Sequence, residues 1–185
     1  MSITTKTGDD GETGLLFSRR TGKDDPRIAA CGDVDELNAA IGLAKAHLQN
    51  TEFAKKLTTI QQALIALMGE LATLPEDTKR YAASQFDKLT AIDTEKLDEW
   101  IGEMEGGGLS FKGWALPGES VPSAHLDFAR TVCRRAERSV VAVLRTGTLA
   151  DSQAVVFLTA SPTCYGSWPG QSPKHPAKNN WLNSA

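Results

Sequence analysis

The chain has 185 residues, 41% of them hydrophobic and 23% charged, and carries a formal net charge of −3 at neutral pH. That length buries a core without metal or disulfide staples, so a single globular domain is expected, and the mild acidity argues against a broad nucleic-acid-binding surface. Cys31, Cys133 and Cys164 are odd in number, and His47, His125 and His175 are scattered; neither set has disulfide or metal-ligand spacing.

The N-terminus is polar from Ser2 onward, with no apolar signal core, and no later run reaches membrane-spanning length. A cytoplasmic protein without a membrane or nucleic-acid partner is expected. Residues 1–26 hold little helical pattern. Thr4 to Gly14 is rich in Gly, Thr and Asp, the composition of a turn-forming loop, and lacks the Walker A signature. Lys6, three glycines and several hydroxyls are still a set that wraps phosphates, and Asp9 or Asp10 offers a carboxylate to Mg²⁺. Lys23 adds a cation just ahead of the first helix.

The spacing predicts that helix from Arg27 to Leu48, with Val34, Leu37, Ile41, Ala44 and Leu48 as its apolar seam. Asp35, Asn38 and Gly42 lie about a quarter-turn from the seam, and Asp33 with Glu36 form a capping box if the helix restarts there. A second helix follows Asn50-Thr51 to about Leu74, with the most regular seam in the chain: Phe53, Leu57, Ile60, Leu64, Leu67 and Leu71. Pro75 to Ala91 reads as a polar surface connection. A third helix starts at Asp93, turns Leu97, Trp100, Ile101 and Met104 inward, and stops at Gly106-Gly107-Gly108. The connection Leu109–Ser123 holds Phe111, Trp114 and Leu116 before Pro117-Gly118, so it packs on the core or on a ligand.

The fourth helix runs from Ser123 to about Arg145 and contains the stretch Ala129–Arg138. Ala129, Val132, Cys133, Ala136, Val140, Val143 and Leu144 gather on one stripe at about 100° per residue. Arg130, Arg134 and Glu137 gather along its flank, Arg138 points further round, and Arg135 falls on the opposite flank. Two readings stand at this point: a solvated arginine face with one Arg–Glu pair, or a fork of guanidinium donors for a multi-oxygen anion such as a phosphate chain.

Leu149–Leu158 begins a fifth helix, after which Thr159–Ala185, with Pro162, Pro169, Pro173 and Pro176, Gly166 and Gly170 and several Ser and Asn, keeps no helical or strand period and is expected to be a disordered tail. No strand pattern of any length is visible. The fold class is therefore all-α, an up-and-down helical bundle, with a domain over residues 1–158 and a tail over 159–185. The flank bearing Asp35 and Arg130 is a candidate self-association surface.

Four stretches together resemble the PduO-type corrinoid adenosyltransferases (ATP:cob(I)alamin adenosyltransferases). Thr5-Lys6-Thr7-Gly8-Asp9-Asp10-Gly11, followed by Thr13, is similar to the family's nucleotide loop, with Lys23 where the family keeps a further lysine. Gly32 with Asp35-Glu36-Leu37-Asn38 and Ile41-Gly42 is similar to its first-helix motif. Trp114, Leu116, Pro117 and Gly118 resemble its Phe-x-Leu-Pro-Gly loop, and Ala129–Arg138 matches its arginine helix residue for residue. The resemblance covers about residues 3–158.

The resemblance implies a five-helix bundle acting as a homotrimer, with active sites at subunit interfaces. The implied reaction transfers the 5′-deoxyadenosyl group of ATP to cobalt in a reduced corrinoid and releases triphosphate. By the same resemblance, Thr5, Lys6, Thr7, Gly8, Asp9, Asp10, Gly11, Thr13, Lys23, Arg134, Arg135, Glu137 and Arg138 grip ATP with its Mg²⁺. Asp35 and Arg130 form a salt bridge between subunits beside the corrinoid and, with Arg134, carry the catalytic roles. Trp114 replaces the family's Phe, which crowds the lower face of the corrinoid.

The chain departs from the family in its fifth helix, where the motif Asn-Arg-Leu-Ser-Asp includes a nucleotide-contacting Asn. Here Leu158 is followed by Thr159-Ala160-Ser161-Pro162-Thr163. The codons AAC CGC CTC TCC GAC, read one base later, encode that Thr-Ala-Ser-Pro-Thr run, so Thr159–Ala185 reads as out-of-frame translation and the fifth helix as truncated. Two other functions stay open: a bundle that binds ATP or a corrinoid without turnover, and a structural helical scaffold.

Overall fold

The computed structural model describes residues 8–49, 51–106, 117–118, 120–147, 149 and 152–166. Thr5, Lys6, Thr7, Trp114 and the tail beyond Gly166 lie outside the described residues. The elements are β1 (Glu12–Gly14), β2 (Arg20–Gly22), α1 (Pro26–Ala46), α2 (Thr51–Leu71), α3 (Thr78–Ala82), α4 (Ala91–Gly106), α5 (Val121–Arg145) and α6 (Ala154–Gly166). Five long helices form a ring: α1 packs against α2 and α5, α5 against α6, and α6 against α4. Lys56 of α2 closes the ring by pairing with Glu103 of α4 at 2.5 Å while lying over the Trp100 ring.

Local chemistry explains the helix boundaries. Asp25 caps α1 by accepting from the Arg27 amide at 2.8 Å, and Pro26 fills the first turn, where its missing N–H costs nothing. Ser120 caps α5 by accepting from the Ser123 amide. At its other end Gly147 takes φ +74°, a left-handed conformation that favours glycine, and its amide returns to the Leu144 carbonyl. The expected apolar seams are the buried ones: Val34, Leu37, Ile41 and Ala44 on α1, the whole six-residue seam on α2, and Ala129 through Val143 on α5. On α4, Leu97 and Met104 are buried, whereas Trp100 and Ile101 pack on the core half-exposed.

Three expectations need correction. Strands are present: β1 and β2 pair antiparallel with Thr13 opposite Thr21. Three-residue strands made of Gly, Thr and charged residues are too short to register as alternation. Asp33 and Glu36 do not cap a restarted helix, because α1 is continuous from Pro26 to Ala46. And α6 does not stop at Leu158; it continues to Gly166 with Ser161, Cys164 and Tyr165 buried. Pro162 lies inside that helix and removes the N–H that would meet the Leu158 carbonyl. The Cys133 thiol of α5, 3.5 Å away, donates to that carbonyl instead, and the Ser161 hydroxyl donates to the Phe157 carbonyl at 2.8 Å. Tertiary partners thus carry a helix that residue propensity opposes.

Candidate active site

The N-terminal hairpin is fastened to the end of the bundle where α1 begins and α2 ends. The Leu16 amide donates to the Ala72 carbonyl at 3.0 Å, and Arg19 forms an ion pair with Asp77 at 2.6 Å. Buried Arg27 donates to the Leu71 and Thr73 carbonyls at 2.7 and 2.8 Å, capping the C-terminal end of α2 with a cation. Thr21 donates to Asp25 at 2.7 Å, so β2 and the cap of α1 are held together. On that base Gly8–Gly11 makes a tight turn. Lys23 Nζ donates to the Gly8 carbonyl at 2.7 Å and the Lys23 amide to the Gly11 carbonyl at 2.8 Å. A Cβ at Gly8 would lie 3.1 Å from the Glu12 carbonyl oxygen, so the close approach suits glycine. Asp10 accepts from the Glu12 amide and, with Glu12, pairs with Arg20, whereas Asp9 is exposed. Thr13 enters the ladder of β1.

A second candidate element is on α5. Ser139 is bonded to Asp33 and Arg135, one turn earlier on α5, to Glu36, later on α1, so the two helices run antiparallel and the C-terminal turns of α5 lie toward the start of α1. Arg134, Glu137, Arg138, Val141, Ala142 and Arg145 line an open groove of about 420 Å³. All six lie on one face of α5, so three arginines share that face with one glutamate. Arg134 lies 4.0 Å from Glu137, and Arg138 donates to the Arg134 backbone carbonyl at 2.8 Å. Glu137 also accepts from Thr159 of α6 at 2.8 Å, which ties that carboxylate to the neighbouring helix. Arg145 was not singled out from the sequence. Its signal was present: it stands seven residues after Arg138 and eleven after Arg134, two and three helical turns along one face.

The remaining expected residues fall elsewhere. Arg135 does not enter the groove; it turns to α1, donating to Asp33 at 3.0 Å and to Glu36. Arg130 pairs within the chain with Asp127 at 3.4 Å, and Asp35 is exposed on α1. Burial keeps the thiols protonated, pushing Cys31 up to about 11 and Cys133 and Cys164 up to about 12. Among the described residues no group of three or more His, Cys, Asp or Glu side chains forms a metal cage.

A hairpin turn rich in backbone donors and an arginine groove on a five-helix ring suit a polyphosphate. The family model for cobalamin adenosyltransferases matches residues 3–159. The chain belongs to this family. Among its adenosyltransferase relatives are the corrinoid adenosyltransferase of Citrobacter freundii, 35% identical over 149 residues (80% of this chain, 82% of the relative), and that of Bacillus subtilis, 39% identical over 149 residues (78% and 73%). A solved PduO-type ATP:corrinoid adenosyltransferase from Lactobacillus reuteri, a phenylalanine-to-histidine variant complexed with cobalamin and ATP, superimposes with a TM-score of 0.79 at 32% identity, covering 90% of this chain and 88% of that one. An arginine-to-lysine variant from the same organism, complexed with ATP, gives 0.74 at 30% identity, with 89% and 90% covered. The adenosyltransferase match ends one residue beyond Leu158.

Proposed function

We propose that this adenosyltransferase transfers the 5′-deoxyadenosyl group of ATP to cob(I)alamin with its triphosphate lying in the Arg134–Arg138 groove. The observation that carries this placement is that Arg134, Arg138 and Arg145 share one open face of α5 with a single carboxylate, Glu137. In the reaction the Co(I) electron pair forms the Co–C5′ bond, the C5′–O bond breaks, and triphosphate leaves with that bond's electrons. Cobalt is the nucleophile, so the chain's own tasks are alignment and stabilisation of the leaving charge. Protonated, buried thiols accord with that division, since none competes as a nucleophile or soft ligand. Arg134 and Arg138 offer planar forks to phosphate oxygens. The Gly8–Gly11 turn, braced by Lys23, presents backbone N–H groups and contains Asp9 and Asp10; Thr5, Lys6 and Thr7 precede it in sequence and Thr13 follows it in β1.

The donor set fits a Mg²⁺ that arrives with the nucleotide, because Mg²⁺ on phosphates commonly uses only one or two protein carboxylates. Glu137 in the groove is the residue that would hold it, and bound Mg²⁺ would neutralise part of the triphosphate charge. A homotrimer is supported by apolar side chains left exposed along the α1–α5 seam, Leu43, Val121 and Phe128. In that assembly Asp35 of one subunit and Arg130 of the next pair beside the corrinoid, with Trp114 against its lower face. No single helix among the described residues is long and apolar enough to cross a membrane, which is compatible with a cytoplasmic enzyme.

Thr159 favours a second reading. It stands where the family motif has its nucleotide-contacting Asn, and its hydroxyl is bonded to Glu137; a chain impaired at this position binds ATP and corrinoid without turnover. One assay separates the two. The protein is incubated with ATP, Mg²⁺ and chemically reduced cobalamin while the corrinoid absorbance is followed. Adenosylcobalamin formation supports the enzyme, a spectral shift without product supports the binder, and no response rejects both.

A further inference from the structure

Of the four arginines in Ala129–Arg138, Arg135 alone turns to α1. Its Nε donates to Asp33 at 3.0 Å and a terminal nitrogen donates to Glu36. Ser139, one turn further along α5, donates to the other oxygen of the same Asp33 carboxylate. Two successive turns of α5 are thereby pinned to one point on α1, which fixes both the rotation and the axial position of α5. We propose that Arg135 is a positioning residue: anchored by Asp33 and Glu36, it holds α5 at the rotation that aims Arg134 and Arg138 into the groove, and it does not itself touch the triphosphate. The inference rests on the assignment of that groove to triphosphate.

Two physical arguments support it. Arg135 carries one positive charge against two carboxylates, so the cluster it belongs to is net negative and repels a polyphosphate. Side chains at consecutive helical positions project about 100° apart, so holding Arg135 against α1 directs Arg134 away from it. A rotation of about 20° would swing a groove guanidinium by about 2 Å at the helix surface. Displacements of about 1 Å cost up to about 100-fold in rate when alignment is the catalytic device.

The test compares Arg135→Met, the double variant Asp33→Asn/Glu36→Gln, and the triple combination. KM is measured separately for ATP and for cob(I)alamin, and binding of inorganic tripolyphosphate is measured directly. A positioning role gives a rise of about tenfold in KM for ATP in both the single and double variants. The triple variant then shows no further rise, KM for the corrinoid stays within about twofold, and tripolyphosphate affinity falls in parallel with the ATP effect. A direct phosphate contact gives the opposite sign in the double variant: Arg135, freed from its carboxylates, binds ATP and tripolyphosphate more tightly. That result overturns the proposal, as does an equal rise in both KM values, the mark of general loss of structure. If Arg135→Met does not fold, Arg135→Lys keeps the charge while losing the fork, and the same split in KM is required of it. If Arg134→Ala keeps wild-type kcat, KM for ATP and tripolyphosphate affinity, the groove assignment falls and takes this inference with it. If Arg134→Ala is impaired but the double variant is not, only the role of Arg135 falls.

Discussion

Arg134→Ala separates catalysis from stability because the arginine is cheap to remove from the fold. Its side chain is 58% exposed and its nearest carboxylate, Glu137, lies 4.0 Å away. Opposite charges at that distance attract by only about 1 kcal/mol in water, and exposed pairs contribute about 0–1 kcal/mol net of side-chain entropy. Truncation should therefore change unfolding free energy by less than about 0.5 kcal/mol. Arg138 should stay in place, since it is tied to the backbone carbonyl of residue 134 and not to the side chain. The transition state is different. Charge grows on the leaving triphosphate, and removing one well-aimed donor to such a charge costs about 10²–10³ in kcat, or about 2.7–4 kcal/mol. The assay is the initial rate of corrinoid alkylation at saturating ATP, with a urea melt on the same preparation. Arg134→Lys should recover part of the rate, as a point charge without the fork. Turnover of Arg134→Ala within threefold of wild type would refute the assignment of this groove to triphosphate.

Further predictions concern the frame that holds the site. Arg27→Met orphans two buried carbonyls at the end of α2 and should cost about 3 kcal/mol, read as a lower urea midpoint at unchanged slope. Asp25 is held below the usual carboxylate range, chiefly by the Thr21 hydroxyl and then by the Arg27 amide. Its folded-state value is depressed, so its contribution is complete above about pH 4 and is lost as pH falls through the folded-state value. Asp25→Asn should flatten that part of the acid-unfolding profile; an unchanged profile counts against the cap. Pro162→Ala restores a donor for the Leu158 carbonyl and should raise stability by about 1–3 kcal/mol, whereas no gain would mean that α6 is not helical there. Sequencing the gene tests the origin of the segment after Leu158: a single-base change should restore an Asn-Arg-Leu-Ser-Asp motif, and the idea is dead if none does.

Sequence alone determined the helices whose burial follows a repeat. The α2 seam from Phe53 to Leu71 and the α5 stripe from Ala129 to Val143 were readable because helical periodicity and burial are the same fact seen twice. It also determined the family, since four motifs in order leave few alternatives. What it could not decide was the partner of each charged side chain. Arg134, Arg135 and Arg138 are alike in sequence, yet one turns to carboxylates on α1 while two line a groove with Arg145, because guanidinium direction is set by which helix lies across from it. The same holds at Asp33 and Glu36, whose capping spacing is real but whose partners come from α5. The helix after Leu158 is the sharpest case: local propensity ends it at Pro162, and only the tertiary structure, through the Cys133 thiol and the buried faces of Cys164 and Tyr165, carries it to Gly166. Local sequence sets which conformations are cheap; packing and hydrogen-bond satisfaction decide which of them the folded chain keeps.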